Sequence, residues 1–497
     1  MIWRFGLWIY VLCILILPLA SVLLGVASFW GKGLGFDQVY LSSFRNSLFI
    51  GVATTALASL WGGIASLLLA KTNLSGRYYW LLLLTLPLFF LPYHQALAYT
   101  ALLPGKSSFL LFSLGGVVFV LAGSFYPIVL WLGLIAFWSL PPEEEEAALL
   151  ASGPKKAFWK IILPQVLPYY LAGALLVFLF AFSELGVPTF LGVGTLPKEI
   201  LLRFAAFYDF QAAIIAAIPL LVLGVILFLS ESFLLRRRLS FPQTQSLVRG
   251  LVFDLGPWKG PALCFLVCLV FAYVLLPLGA LLKETLSFAA FPSVLRGSLK
   301  SLLVSIFYAL VVAYLASLFA LLSTYWPKRW ERKWFSLASL LDFVFPPVII
   351  ALGVIHFWGK FAFLQGTPAL IILGLLARFT FLPYKSLESA REQMDPSILE
   401  AALFSPASRF QVLRRLIYPL FRRWFYLGLM LAFVFSMNEL GISTLLYPPG
   451  GEPLTVRLYT LSVNNPVGVS STLALLNSLT TLVFVAFFFR KISKESL

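Results

Sequence analysis

Charge is what this sequence has least of. Asp, Glu, Lys and Arg make up 11% of its 497 residues, against about 25% in an ordinary soluble domain, so a water-facing globular surface cannot be assembled from it. Disorder is excluded as well, because 61% of the chain is hydrophobic. Cysteine is scarce: Cys13, Cys264 and Cys268 all sit inside apolar runs and read as small fillers rather than a disulfide framework. No G-x-x-x-x-G-K-[ST] occurs, so the chain has no phosphate-cradling loop and no ATPase of its own. With two histidines, no H-E-x-x-H and no Asp/His cluster, a polytopic membrane enzyme is disfavoured and no metal-ligand set can be named. The net charge of +16 is dispersed between apolar runs instead of gathered in a patch, which argues against nucleic acid as a partner.

What the sequence does have is length of apolar run. Stretches of about 20 residues, enough to cross a bilayer core, recur near 5–29, 46–70, 78–102, 111–139, 166–190 and 211–231. They recur again near 260–282, 297–322, 335–357, 368–388, 424–447 and 470–489. The spacing predicts an all-α polytopic membrane protein of twelve crossings, with both termini on one side. Placing the termini in the cytoplasm puts most of the 36 Lys and Arg inside, in keeping with the positive-inside rule. The first run is longer than the apolar region of a signal peptide and reads as a retained helix.

The two halves repeat. Leu17-Pro18-Leu19 returns as Leu276-Pro277-Leu278, Arg45-Asn46-Ser47-Leu48 as Arg296-Gly297-Ser298-Leu299, and Pro92 as Pro347. Glu146-Ala147-Ala148 returns as Glu400-Ala401-Ala402, Pro164 as Pro419, and Glu184-Leu185-Gly186 as Glu439-Leu440-Gly441. Polar matches at a nearly constant spacing are not explained by chance among Leu-rich helices. An even number of spans per half makes this a parallel repeat about an axis along the membrane normal. The expected organisation is a first transmembrane half at 1–231, a basic linker at 232–259 and a second half at 260–497.

The loops after the fourth and tenth runs share their punctuation. In the first, Pro142 can open a helix, Glu143 to Glu146 suit the positive end of its dipole, Ser152-Gly153-Pro154 breaks it, and Pro164 stops the following basic turn. In the second, Asp395 caps, Pro396 takes the first helical position, Ser405-Pro406 breaks, and Pro419 ends the unit. The alanine pairs allow close approach of another protein and the neighbouring Glu offers it a charge. Two matched helix-break-helix loops therefore read as docking elements.

The stretches EAALLASGPKKAFWKIILP and EAALFSPASRFQVLRRLIYP resemble the Glu-Ala-Ala loop of integral-membrane permease subunits of bacterial ABC importers. Where that pattern has Gly, the first copy carries Ser152 with Gly153 beside it and the second carries Pro406; Tyr418 stands at its Leu. The resemblance implies the molybdate-type importer permease fold in a bacterial inner membrane. It implies coupling loops that dock on two copies of a cytoplasmic ATPase, through Glu146, Ala147, Ala148 and Gly153 and through Glu400, Ala401, Ala402 and Pro406. ATP is then bound by the partner and no cofactor by this chain, and an extracytoplasmic solute-binding protein selects the ligand. The fused two-half form is similar to ferric-iron and thiamine permeases within a group that also serves sulfate and polyamines. NELGISTLLYPPGGEPLTVRLYTL looks most like the ferric-iron type. A major-facilitator carrier also has two parallel six-span halves, but its Gly-x-x-x-Asp-Arg-x-Gly-Arg-Arg type loop is replaced here by the short Lys71–Arg77 turn.

Glu184 and Glu439 fall at matched places late in the fifth and eleventh runs, each followed by a glycine, Gly186 or Gly441. A carboxylate at membrane depth is costly unless it faces protein or water. Two readings stand: with Ser183 and Asn438 they line the translocation path, or each satisfies backbone groups at a helix end. Asp342, before Pro346-Pro347, and His94, after Pro92, read as partners for carbonyls freed by helix distortion. Neither His94 nor His356 reads as a ferric site.

Overall fold

The computed structural model describes residues 2–29, 37–103, 109–236, 253–324, 329–394 and 408–494. Among these residues regular structure is helical, apart from a lone bridge between Thr72 and Phe253 that ties the end of the 232–259 segment to the turn after the Gln38–Lys71 helix.

Among the described residues, nine helices are long and apolar enough to cross a membrane, and eleven spans result if each of two bent pairs counts as one. Two of the expected crossings are bent. The third run breaks into Arg77–Phe89 and Pro92–Leu102, bent by 94°, and the ninth into Trp330–Val344 and Pro347–Trp358, bent by 111°. The sixth run forms the helices Phe210–Ala216 and Ile218–Arg236. The bends have a covalent cause. Pro92 and Pro347 donate no hydrogen bond and push the preceding residue out of helical geometry, so Leu91 and Pro346 are extended at ψ 130° and 143°. Hydropathy along a sequence is blind to such a bend.

Other prolines widen a helix without ending it. Pro164 and Pro419 were expected to stop the loop units; instead each is the second residue of a long helix, Leu163–Ser183 or Tyr418–Met437, entered through a π-helical turn at Phe158–Ile162 or Leu413–Ile417. The same device precedes Pro18 and Pro277, at Val11–Ile16 and Phe271–Leu275. A wider turn moves the carbonyl that the pyrrolidine ring would strike, and the missing N–H then costs little.

The repeat is visible in hydrogen bonds. Leu196 N donates to Ser47 Oγ at 2.8 Å and Leu454 N to Ser305 Oγ at 2.7 Å, each pair 149 residues apart. Ser47 therefore corresponds to Ser305, not to Ser298: the sequence match at Arg45–Leu48 is displaced by seven residues, two helical turns that preserve the buried face.

The halves interlock. The Pro347–Trp358 helix of the second packs on Leu17–Phe29 of the first, and Pro92–Leu102 of the first packs on Leu276–Ser287 of the second. Between apolar helices in lipid, close contact of small residues replaces the hydrophobic drive. A Cβ on Gly353 would lie 2.5 Å from Pro18 O, one on Gly62 would lie 2.5 Å from Tyr126 O, and one on Gly428 would lie 2.5 Å from Pro383 Cα. Polar ties add direction: Tyr99 Oη donates to Ala272 O at 2.6 Å, and His356 Nδ1 lies 3.1 Å from Ser21 O.

Candidate functional site

Between the halves lies a cavity of about 90 Å³, room for a few waters. Its walls are the four places where the repeat interrupts a helix: the bends at Pro92 and Pro347 and the breaks around Glu184 and Glu439. Ser183, Glu184, Gly186, Asn438, Glu439 and Gly441, singled out in the sequence, all line it. The Leu163–Ser183 helix ends as Glu184 turns extended, and a short helix restarts at Gly186. In the second half Tyr418–Met437 ends at Asn438 and Gly441–Leu446 restarts.

Each carboxylate meets a restarting helix. Glu184 Oε1 accepts from Gly186 N at 3.1 Å, and Glu439 Oε1 accepts from Ile442 N at 3.2 Å. Helix-end bonding and cavity lining thus coexist at these residues. The glycines permit close packing, between the halves at Gly186, where a Cβ would lie 2.9 Å from Leu440 Cδ2, and within the second half at Gly441, where one would lie 2.9 Å from Pro347 Cβ. The neighbours differ. Ser183 Oγ donates to Leu179 O of its own helix at 2.7 Å, whereas Asn438 bridges the halves, donating to Phe89 O at 3.1 Å and accepting from Asn477 at 2.9 Å.

Sequence reasoning missed Arg378. Its charge, late in the tenth apolar run, counts toward the cytoplasmic side under the positive-inside rule, yet it is 3% exposed and lines the cavity. Its Nη1 donates to Phe345 O at 2.8 Å, the carbonyl beside the Pro346-Pro347 bend, and its Nε stands 3.5 Å from Glu439 Oε2. An arginine inside the apolar run ALIILGLLARF was the signal that could have found it. The roles expected of Asp342 and His94 are corrected accordingly. Arg378, not Asp342, takes the freed carbonyl; Asp342 is buried, its Oδ2 without a hydrogen-bond partner among the described residues, and His94 faces Ser478 Oγ at 2.9 Å instead of a carbonyl.

At one end of the bundle Pro142–Ala157 forms the helix-break-helix element expected of the first loop. Glu143, Glu144 and Glu145 occupy its first turn, and Gly153 breaks it at φ 75°, ψ 164°, a region open essentially to glycine alone. Glu146 and Ala147 are exposed and Leu150 is 90% exposed. The alanine pair is split, however: Ala148 is buried and faces the body of the protein. Glu145, one residue before the motif, is also buried, paired with Lys71 at the end of the Gln38–Lys71 helix. Glu400, Ala401, Ala402 and Pro406 lie outside the described residues. Among the described residues no cluster of three or more His, Cys, Asp or Glu is placed to hold a metal ion.

The family model described as "Binding-protein-dependent transport system inner membrane component" matches residues 4–240 and 313–496, once in each half. The chain belongs to this family of ABC importer permeases, transport proteins and not enzymes. It is also 26% identical over 162 residues to proteins of Salmonella paratyphi A and Salmonella typhimurium named "Putative 2-aminoethylphosphonate transport system permease protein PhnV". That match covers 31% of this chain and 61% of each relative's length.

Proposed function

We propose that this chain is a two-half permease of an importer, with halves at 1–231 and 260–497 joined by the 232–259 linker. It carries a small solute inward across a bacterial inner membrane, with both termini in the cytoplasm. The observation that carries this reading is the cavity lined by matched helix interruptions of both halves, with Glu184 and Glu439 on its walls. Widening that cavity requires the two broken helices to part.

The force comes from a partner. Two copies of a cytoplasmic ATPase dock on the loops at 143–164 and 397–419, where the exposed Glu146, Ala147 and Leu150 supply a charge and an apolar knob. The buried Lys71–Glu145 pair fastens the first loop to the Gln38–Lys71 helix, so a pull on the loop moves that helix as well. An extracytoplasmic binding protein delivers the solute. ATP and the loaded binding protein each favour particular permease states, and that differential affinity is the coupling.

The solute we propose is ferric iron, on the resemblance of residues 437–461. A second reading, 2-aminoethylphosphonate, is favoured by the named relatives; thiamine is the further alternative within the resembling group. Calorimetric titration of the cognate binding protein with each solute tests the assignment. Tight ferric binding is the expected result, and tight binding of the phosphonate or thiamine with none of iron overturns it.

A further inference from the structure

Repeat symmetry pairs almost every feature of the cavity, so the one that is unpaired calls for explanation. Glu184 answers Glu439, Gly186 answers Gly441 and Pro92 answers Pro347, but Arg378 has no counterpart. The 255-residue spacing that relates Glu184 to Glu439 and Pro92 to Pro347 puts it opposite Gly123, where a Cβ would already collide with the Tyr273 ring. The cavity therefore holds two carboxylates, one from each half, and one guanidinium. That guanidinium is anchored on Phe345 O at the bend of the second half, and its Nε, 3.5 Å from Glu439 Oε2, makes no hydrogen bond among the described residues. Were its task only to fill a gap at the bend, an apolar side chain would serve at far lower desolvation cost.

Taking the cavity as part of the translocation path, we propose that Arg378 is the positioning residue that holds the path closed, its charge keeping Glu184 and Glu439 on one wall-to-wall surface. Without it the two carboxylates face each other across a small, poorly solvated space, and like-charge repulsion favours the state in which the broken helices stand apart. The latch is one-sided: Arg378 belongs to the second half, so release of the Glu184 side separates the halves while Glu439 and the Pro347 bend stay together.

The test uses the full complex in proteoliposomes, in a background where Cys13, Cys264 and Cys268 are replaced by Ser and Ser183→Cys reports the cavity through reaction with a water-soluble maleimide. Arg378→Gln should raise the labelling rate several-fold in the absence of ATP and binding protein. Arg378→Lys should restore slow labelling, and so should adding Glu184→Gln and Glu439→Gln to Arg378→Gln, since removing the repulsion removes the need for the latch. A packing role gives a different pattern, in which neither the lysine nor the added glutamines restore slow labelling, and that result overturns the proposal. If Arg378→Gln alone does not reach the membrane, the comparison of the triple variant with Glu184→Gln/Glu439→Gln decides: equal slow labelling supports the latch, and faster labelling in the triple variant overturns it. Labelling that rises on ATP turnover but at rest is unaffected by Arg378→Gln overturns the latch and leaves the path intact. No labelling in any variant, even during turnover, overturns the path itself.

Discussion

Lys71 and Glu145 form an ion pair buried beneath the first loop helix, with the ammonium 5.9 Å from the centre of the Phe137 ring. The pair turns Glu145 inward and thereby presents Glu146, Ala147 and Leu150 outward on the next faces of the same helix. Removing one partner of a buried pair strands the other charge, at a cost of about 3–5 kcal/mol, whereas an apolar replacement of both is much milder. Lys71→Met and Glu145→Leu should each lower the unfolding temperature of the detergent-solubilised protein clearly, and the double variant should recover most of the loss. Additive losses in the double variant would show that the two charges act separately.

The outward face makes a separate prediction. Glu146→Lys combined with Glu400→Lys should abolish uptake while the protein still accumulates in the membrane, because the change reverses charge at both proposed docking loops and leaves Lys71 and Glu145 as they are. Quantitative blotting of membrane fractions beside an uptake assay checks it. Normal uptake in that variant would remove the docking role.

In the cavity, Glu184→Gln with Glu439→Gln retains the acceptor oxygens that meet Gly186 N and Ile442 N and removes only the charge. If the carboxylates serve the path, transport and solute-stimulated ATP hydrolysis both change. If they serve only as helix-end acceptors, both remain as in the unaltered protein.

Much of this was legible in advance. The repeat, the apolar runs, the helix-break-helix loop and all six cavity residues follow from spacing and composition, because membrane depth makes each Glu, Gly and Pro conspicuous. The rest depended on three-dimensional facts. Arg378 looked like a loop charge because it stands near the end of an apolar run, and only the Pro346-Pro347 bend brings a free carbonyl to it. Pro164 and Pro419 looked like stops because a π-helical turn leaves no mark in composition. Ser298 matched Ser47 by letters, but Ser305 makes the equivalent bond, since a shift of two turns is invisible to a periodicity argument.

Helix crossings set a further expectation. At Gly428 a methyl group would meet the Pro383 backbone, and at Gly353 it would meet the Pro18 carbonyl. Gly428→Leu and Gly353→Val should each destabilise by about 1–3 kcal/mol through overpacking. Gly63→Ala, whose added methyl stands 3.6 Å from Tyr170 Cε1 in ordinary contact, should be nearly neutral. Thermal unfolding of the purified variants measures the contrast.

The central claim is that the two-half path opens only when a partner spends ATP on it. Its most direct test is uptake of solute, presented on the cognate binding protein, by proteoliposomes containing this chain with its co-purified ATPase. The account predicts uptake that requires both ATP on the ATPase side and the binding protein on the other, and that an imposed ion gradient does not replace. Uptake driven by a proton or sodium gradient with no ATP and no binding protein would contradict it and mark the chain as a secondary carrier.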